Sequence, residues 1–160
     1  MKLNFSKTTF AVGAFAVLGG FAAHANAITM RPALQDSDVE KIVAAAKQAI
    51  QENHTAGCIA VADADGEVLF LQRQEDAMPN CVSSALAKVK TAAKFGTPTV
   101  TYNKMLGQHQ EIMLGVPELA PMPGGQPLFH GGKIVGAVAI STPDGDLDVK
   151  VVNAAAAVIK

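Results

Sequence analysis

The sequence predicts an α+β domain, an antiparallel sheet with helices packed on it. Apolar residues recur at helical spacing in three separate segments, and short apolar runs flank tight turns in two others. Their order is helix, two strands, helix, loop, two strands, helix, which suits a sheet that buries its faces against helices. With 160 residues, 49% of them hydrophobic, one such domain can form a core without metals or staples.

Residues 1–27 stand apart. Lys2 and Lys7 accompany an apolar run from Thr8 to Ala23, and Ala25-Asn26-Ala27 supplies small residues at a cleavage position. This pattern predicts a signal peptide over 1–27, a single domain over 28–160, and a periplasmic or secreted protein. The run is shorter than the ~20 apolar residues needed to cross a bilayer, so no membrane span is expected after cleavage. Without Lys2 and Lys7, 11 basic residues face 14 acidic ones, a net charge of −3. Nucleic acid is therefore not an expected partner. Lys88, Lys90 and Lys94 gather on one segment, but no aromatic ladder accompanies them, and a solvated helix face is the simpler reading.

The first helix is expected from Ser37-Asp38-Val39-Glu40, which reads as a capping box, with Val39, Ile42, Val43, Ala46, Ala49 and Ile50 forming the apolar stripe behind it. "CIAVADA", the turn dipeptide Asp65-Gly66 and "EVLFLQR" read as a hairpin. "SSALAKVKTAAKF" returns to helical spacing and is stopped by Gly96 and Pro98. Residues 97–122 follow neither period for long, and a long loop with a helical turn or two is expected there, a place from which ligand contacts can come. "QPLF", the turn His130-Gly131-Gly132-Lys133 and "IVGAVAIS" form a second hairpin, whose Gly136 allows close approach of a neighbour. After Pro143 and Asp144, the residues Leu147, Val151, Val152, Ala155, Val158 and Ile159 mark a closing helix. Asp144, Asp146 and Asp148 are spaced like calcium-loop ligands, but Leu147 and Val149 break that pattern and helix capping is the simpler role.

Cys58 and Cys81 are the only thiols. Export would let them pair, yet the sequence leaves the pairing open because it does not fix their Cα separation. Neither sits in a Cys-x-x-Cys or Cys-x-x-Cys-His pattern, so thioredoxin-like redox chemistry and thioether-linked heme are not expected.

The ordered set "AVADADGEVLFLQR", "ALAKVKTAAKFGTPT", "PGGQPLFHGGKIVGAVAIS" and "DLDVKVVNAAA" resembles the GlcG/HbpS-type heme-binding proteins, related to the carboxy-terminal domain of PduO proteins. The resemblance implies a profilin-like α-β-α layered domain with a central antiparallel sheet, a symmetric homo-oligomer, and noncovalent binding of heme or a related tetrapyrrole. Carried over by position, it implies a ligand site formed by Arg73, Lys88, Thr91 and Phe95 with Pro123, Gly124 and Gly125. The chain departs from the pattern at Ala139-Ile140-Ser141-Thr142, where relatives commonly read Gly-Val-Ser-Gly, and after Arg73.

Heme iron needs an axial donor. His54, His109 and His130 are the metal-ligand candidates, each with an exposed or structural role as the alternative, while Met78, Met105, Met113 and Met122 read as gap fillers. Gly124 and Gly125 read either as a turn requiring positive φ or as an anion-binding nest with charge from Lys88 or Arg73. No Gly-x-Ser-x-Gly, His-Glu-x-x-His or glycine-rich phosphate loop is present. The sequence thus predicts an exported, non-enzymatic tetrapyrrole binder, with an enzyme or accessory factor for a small carboxylate such as a hydroxy acid as the alternative.

Overall fold

The computed structural model describes residues 30–159. The leader expected over residues 1–27 lies outside them. Among the described residues the elements run α1 (Asp36–Glu52), β1 (Cys58–Asp63), β2 (Val68–Arg73), α2 (Cys81–Phe95), α3 (Thr99–Gly107), a 3-10 turn (Glu111–Gly115), β3 (Gly125–His130), β4 (Lys133–Ser141) and α4 (Gly145–Ala156). The strands form one antiparallel sheet in the order β2-β1-β4-β3. No helix among these residues is long and apolar enough to cross a membrane.

Strand alternation assigns each face a different material. Ile59 and Val61 of β1 with Val138 and Ile140 of β4 point to one side, where α1 and α4 close over them with Ile42, Ile50, Val151 and Val152. Cys58, Ala60, Ala62, Ala137 and Ala139 point to the other, where α2 packs through Ala85, Val89 and Ala92. The result is a layered α-β-α domain. Small side chains let α2 lie close to the sheet, and Gly136 serves the same end within it: a Cβ there would collide with Ala62 O and Leu34 Cδ1.

Several local expectations need correction. Helix α1 begins two residues early, because Asp38, not Glu40, reaches back, its Oδ2 accepting from Gln35 N at 3.2 Å. Residues 97–122 are more ordered than a loop, since α3 occupies nine of them. Helix α4 stops at Ala156, short of Val158 and Ile159. The pairing that the sequence leaves open is made: Cys58 and Cys81 form a disulfide, their Cα atoms 5.4 Å apart, which ties the start of β1 to the start of α2.

Candidate functional site

Beside the Ser141 end of β4, a cleft of about 270 Å³ is lined by the first turns of α2 and α4 and by Met122 and Pro123 of the incoming β3 segment. Met78, Met122, Pro123 and Pro143 give it apolar walls. Its most buried polar groups are Lys88 and Asp148, whose side chains are 3% and 4% exposed and meet at 2.8 Å. Thr142 completes the carboxylate: its backbone N and its Oγ1 both donate to Asp148 Oδ1, at 2.7 and 2.8 Å. Burial pushes the Lys88 ammonium below its ordinary pKa and the Asp148 carboxyl above its own, each opposed by the charge of the partner.

The pair corrects two expectations. Lys88 is no solvated residue, although Lys90 and Lys94 are exposed. Asp148 is no cap either. Asp144 caps α4, its Oδ1 accepting from Asp146 N at 2.9 Å and from Leu147 N at 3.3 Å. A usable signal was present in the spacing. Asp148 shares the helical stripe of Val151, Val152 and Ala155, and Lys88 that of Ala85, Val89 and Ala92, so each apolar face carries one charge.

Gly124 and Gly125 are required by packing. At Gly124, where φ is +103°, a Cβ would stand 2.6 Å from Asp148 Cβ and 2.7 Å from Ile140 O. At Gly125 it would stand 2.7 Å from both Lys88 O and Thr99 Cγ2. The nest reading fails here, because Gly125 N already donates to Thr99 Oγ1 at 2.8 Å. Thr91 holds the same segment from the other side: its Oγ1 accepts from Ala120 N at 2.8 Å, and its single proton is shared between Ala87 O at 2.9 Å and Glu118 O at 3.1 Å. Its role in the fold is to seat the Met122 wall on α2.

Of the residues singled out in the sequence, Lys88 and Pro123 line the cleft, and Gly124 and Gly125 back it. Arg73 does not line it; Nε and Nη2 both donate to Ala77 O, at 2.8 and 2.6 Å. Phe95 is half-exposed and meets Tyr102 edge-on, the ring centroids 6.0 Å apart. The three histidines are not among the lining residues either. His54 and His109 follow the last turns of α1 and α3 with φ of 51° and 61°, the left-handed conformation that ends helices. His130 closes the β3-β4 hairpin, a strand length of roughly 25 Å from the Ser141 end of β4 at ~3.3 Å per residue. Met78 and Met122, read from sequence as gap fillers, are the soft donors that do line the cleft.

A family model described as haem degrading protein, HbpS-like, matches residues 34–157, which include every residue of this cleft. Protein GlcG of Escherichia coli (strain K12) is 36% identical over 100 residues, 62% of this chain and 75% of GlcG. The crystal structure of HbpS superposes with a TM-score of 0.76 at 29% identity, over 87% of this chain and 99% of that one. The PduOC:heme complex superposes with a TM-score of 0.75 at 22% identity, over 81% and 96% of the two chains, a likeness of fold alone. The extent of the family match, running from the residues before α1 through the end of α4, makes this chain a member of the HbpS-like family.

Proposed function

We propose that this protein is an exported, non-enzymatic binder of heme or a related tetrapyrrole, serving transport, storage or sensing as a homo-oligomer. The observation that carries the reading is the cleft, placed within the part of the chain matched to a family described by haem, and combining apolar walls with a buried cation and two thioethers. Heme would supply a redox-active iron with open axial positions. Within one chain the donors suited to that iron are the Met78 and Met122 sulfurs; His54, His109 or His130 would have to serve from a neighbouring copy. About 270 Å³ is below the common range of ~300–1,000 Å³ for ligand pockets, so the cleft accepts one edge of a macrocycle and leaves the other for a second subunit to cover. The free edge strand β2, with Val68, Leu69 and Leu71 each at least 40% exposed, is a surface suited to such assembly.

Export is supported by the Cys58–Cys81 disulfide, a bond at home in oxidising compartments. A binding role without turnover is supported by the way Lys88 and Asp148, the strongest acid-base candidates in the cleft, engage each other. Hemin titration of the purified protein tests the proposal. A saturable Soret shift at fixed stoichiometry, with hemin recovered intact in the presence of a reductant, is expected; breakdown to open-chain pigment would transfer the protein to catalysis. The cleft volume also favours a second reading, a factor acting on a small carboxylate, for which a short acid would saturate the protein and hemin would give no spectrum.

A further inference from the structure

The Lys88 ammonium has three N–H donors, and among the described residues one of them is used, on Asp148 Oδ2. The carboxylate is in the opposite condition. Its Oδ2 takes Lys88 and its Oδ1 takes two donors from Thr142, so Asp148 has little left to offer while Lys88 has two protons to place. A buried charged donor without an acceptor costs on the order of 1–3 kcal/mol or more, so an oxygen atom from outside the fold belongs beside Nζ. The absence of a side chain at Gly124 keeps that space open, since its Cβ would lie 3.1 Å from Nζ.

Water can fill the place, but the surroundings select a more specific oxygen. Cys81, Ser84 and Lys88 are spaced three and four apart on α2 and all line the cleft, so the amide end of a 15-residue helix faces the same space. That end is only partly engaged: Cys81 N donates to Met78 O at 3.0 Å and the Asn80 side chain makes no capping bond, whereas the α4 terminus is capped by Asp144. Asp148 and Lys88 offset each other, and the α2 terminus adds a positive partial charge. The Ser84 hydroxyl makes no hydrogen bond among the described residues and stands one turn from Lys88. The lining also includes the apolar Met122 and Pro123.

We propose that the cleft binds a carboxylate carried on an apolar body, one oxygen accepting from Lys88 Nζ and the other facing Ser84 and the amide end of α2. This rests on the cleft being the ligand site, and it names the group recognised there. Two sources share that chemistry, the propionate arm of a tetrapyrrole and a free short-chain acid.

The purified protein is titrated with hemin, with hemin dimethyl ester and with butyrate, the first two followed by absorbance and the third by NMR. The same titrations are run on Lys88→Met/Asp148→Asn, which removes both charges together and avoids stranding either, and on Ser84→Ala. If the propionate is the source, esterification and the double substitution each weaken binding about tenfold or more, and the ester is indifferent to the double substitution. If the free acid is the source, butyrate saturates the protein in a Lys88-dependent way while hemin gives no Soret shift, which upholds carboxylate recognition and ends the heme reading. Equal binding of hemin and its ester by native and double-substituted protein overturns the carboxylate site and leaves heme binding standing. Binding of none of the three probes overturns both.

Discussion

The two faces of the sheet are made from the same two central strands, yet they do different work. Toward α1 and α4 the strands present Ile59, Val61, Val138 and Ile140, each worth roughly 1.5–3 kcal/mol of burial. Toward α2 they present mainly alanine, which yields far less per residue and lets the helix lie close. Most of the buried polar residues keep company with that thinner side: Lys88 and Thr91 lie on α2 and Thr99 starts α3. The bulky face holds the domain together, and the alanine face places polar groups against backbone. Asp148 joins the two, because it belongs to α4 and pairs with α2.

Substitutions that cross this division test it, and the largest effect is expected where the layers are bridged. Asp148→Ala leaves the Lys88 charge buried without its partner and should lower the unfolding free energy by about 3–5 kcal/mol in urea denaturation. Lys88→Met/Asp148→Asn should lose much less, and equal losses in the two variants would show that the charges do not act as a pair. Next comes Ile59→Ala on the bulky face, a cavity-forming change expected to cost about 2–5 kcal/mol while leaving the affinity of the folded protein for hemin unchanged. A smaller cost, about 1–3 kcal/mol, is expected for Ala60→Leu on the neighbouring position of the same strand. Here the signature differs in kind: the added side chain lifts α2, so hemin affinity falls out of proportion to stability. Ile59→Ala impairing hemin binding as strongly as Ala60→Leu would erase the distinction between the faces.

Much of this architecture is legible in the chain because periodicity reports burial. The period-two alternation of isoleucine or valine with alanine in β1 and β4 specifies both strands and which side is bulky, and Asp65-Gly66 and Gly131-Gly132 mark the hairpins. The start of α1 is hidden in the sequence because Gln35 is an uncommon capping residue, while the nearby Ser37 and Glu40 have the conventional spacing. The site was harder to read for a different reason. Lys88 and Asp148 are 60 residues apart, and each has a bland local explanation, a helix-surface cation and a first-turn acid. Their meeting depends on how the sheet places α2 and α4, which cover its opposite faces, and no local window contains that. The histidines suggest metal ligation by their chemistry, but His54 and His109 adopt the left-handed conformation that ends helices, a backbone role the side chain does not announce.

The smallest expected effect concerns pH, and it asks whether the bridge between the layers is a gain or a cost. Burial lowers the Lys88 pKa from 10.5, so between its folded value and 10.5 the unfolded chain holds a proton that the folded chain has released, and stability rises with pH across that interval. Burial raises the Asp148 pKa from 3.8, so between 3.8 and its folded value the folded chain holds the extra proton, and stability falls as pH rises. Both signs make the ionised pair the least favourable state in the middle of the range. The stability of the native protein minus that of Lys88→Met/Asp148→Asn, measured by urea denaturation across pH, should therefore pass through a minimum between the two intervals and climb on either side. A maximum there would mean that attraction and the Thr142 hydrogen bonds outweigh desolvation, and that the pair stabilises the fold as well as shaping the cleft. A carboxylate held by Lys88 would itself flatten the minimum's alkaline side by favouring the ammonium, so adding saturating hemin or butyrate should move that limb to higher pH.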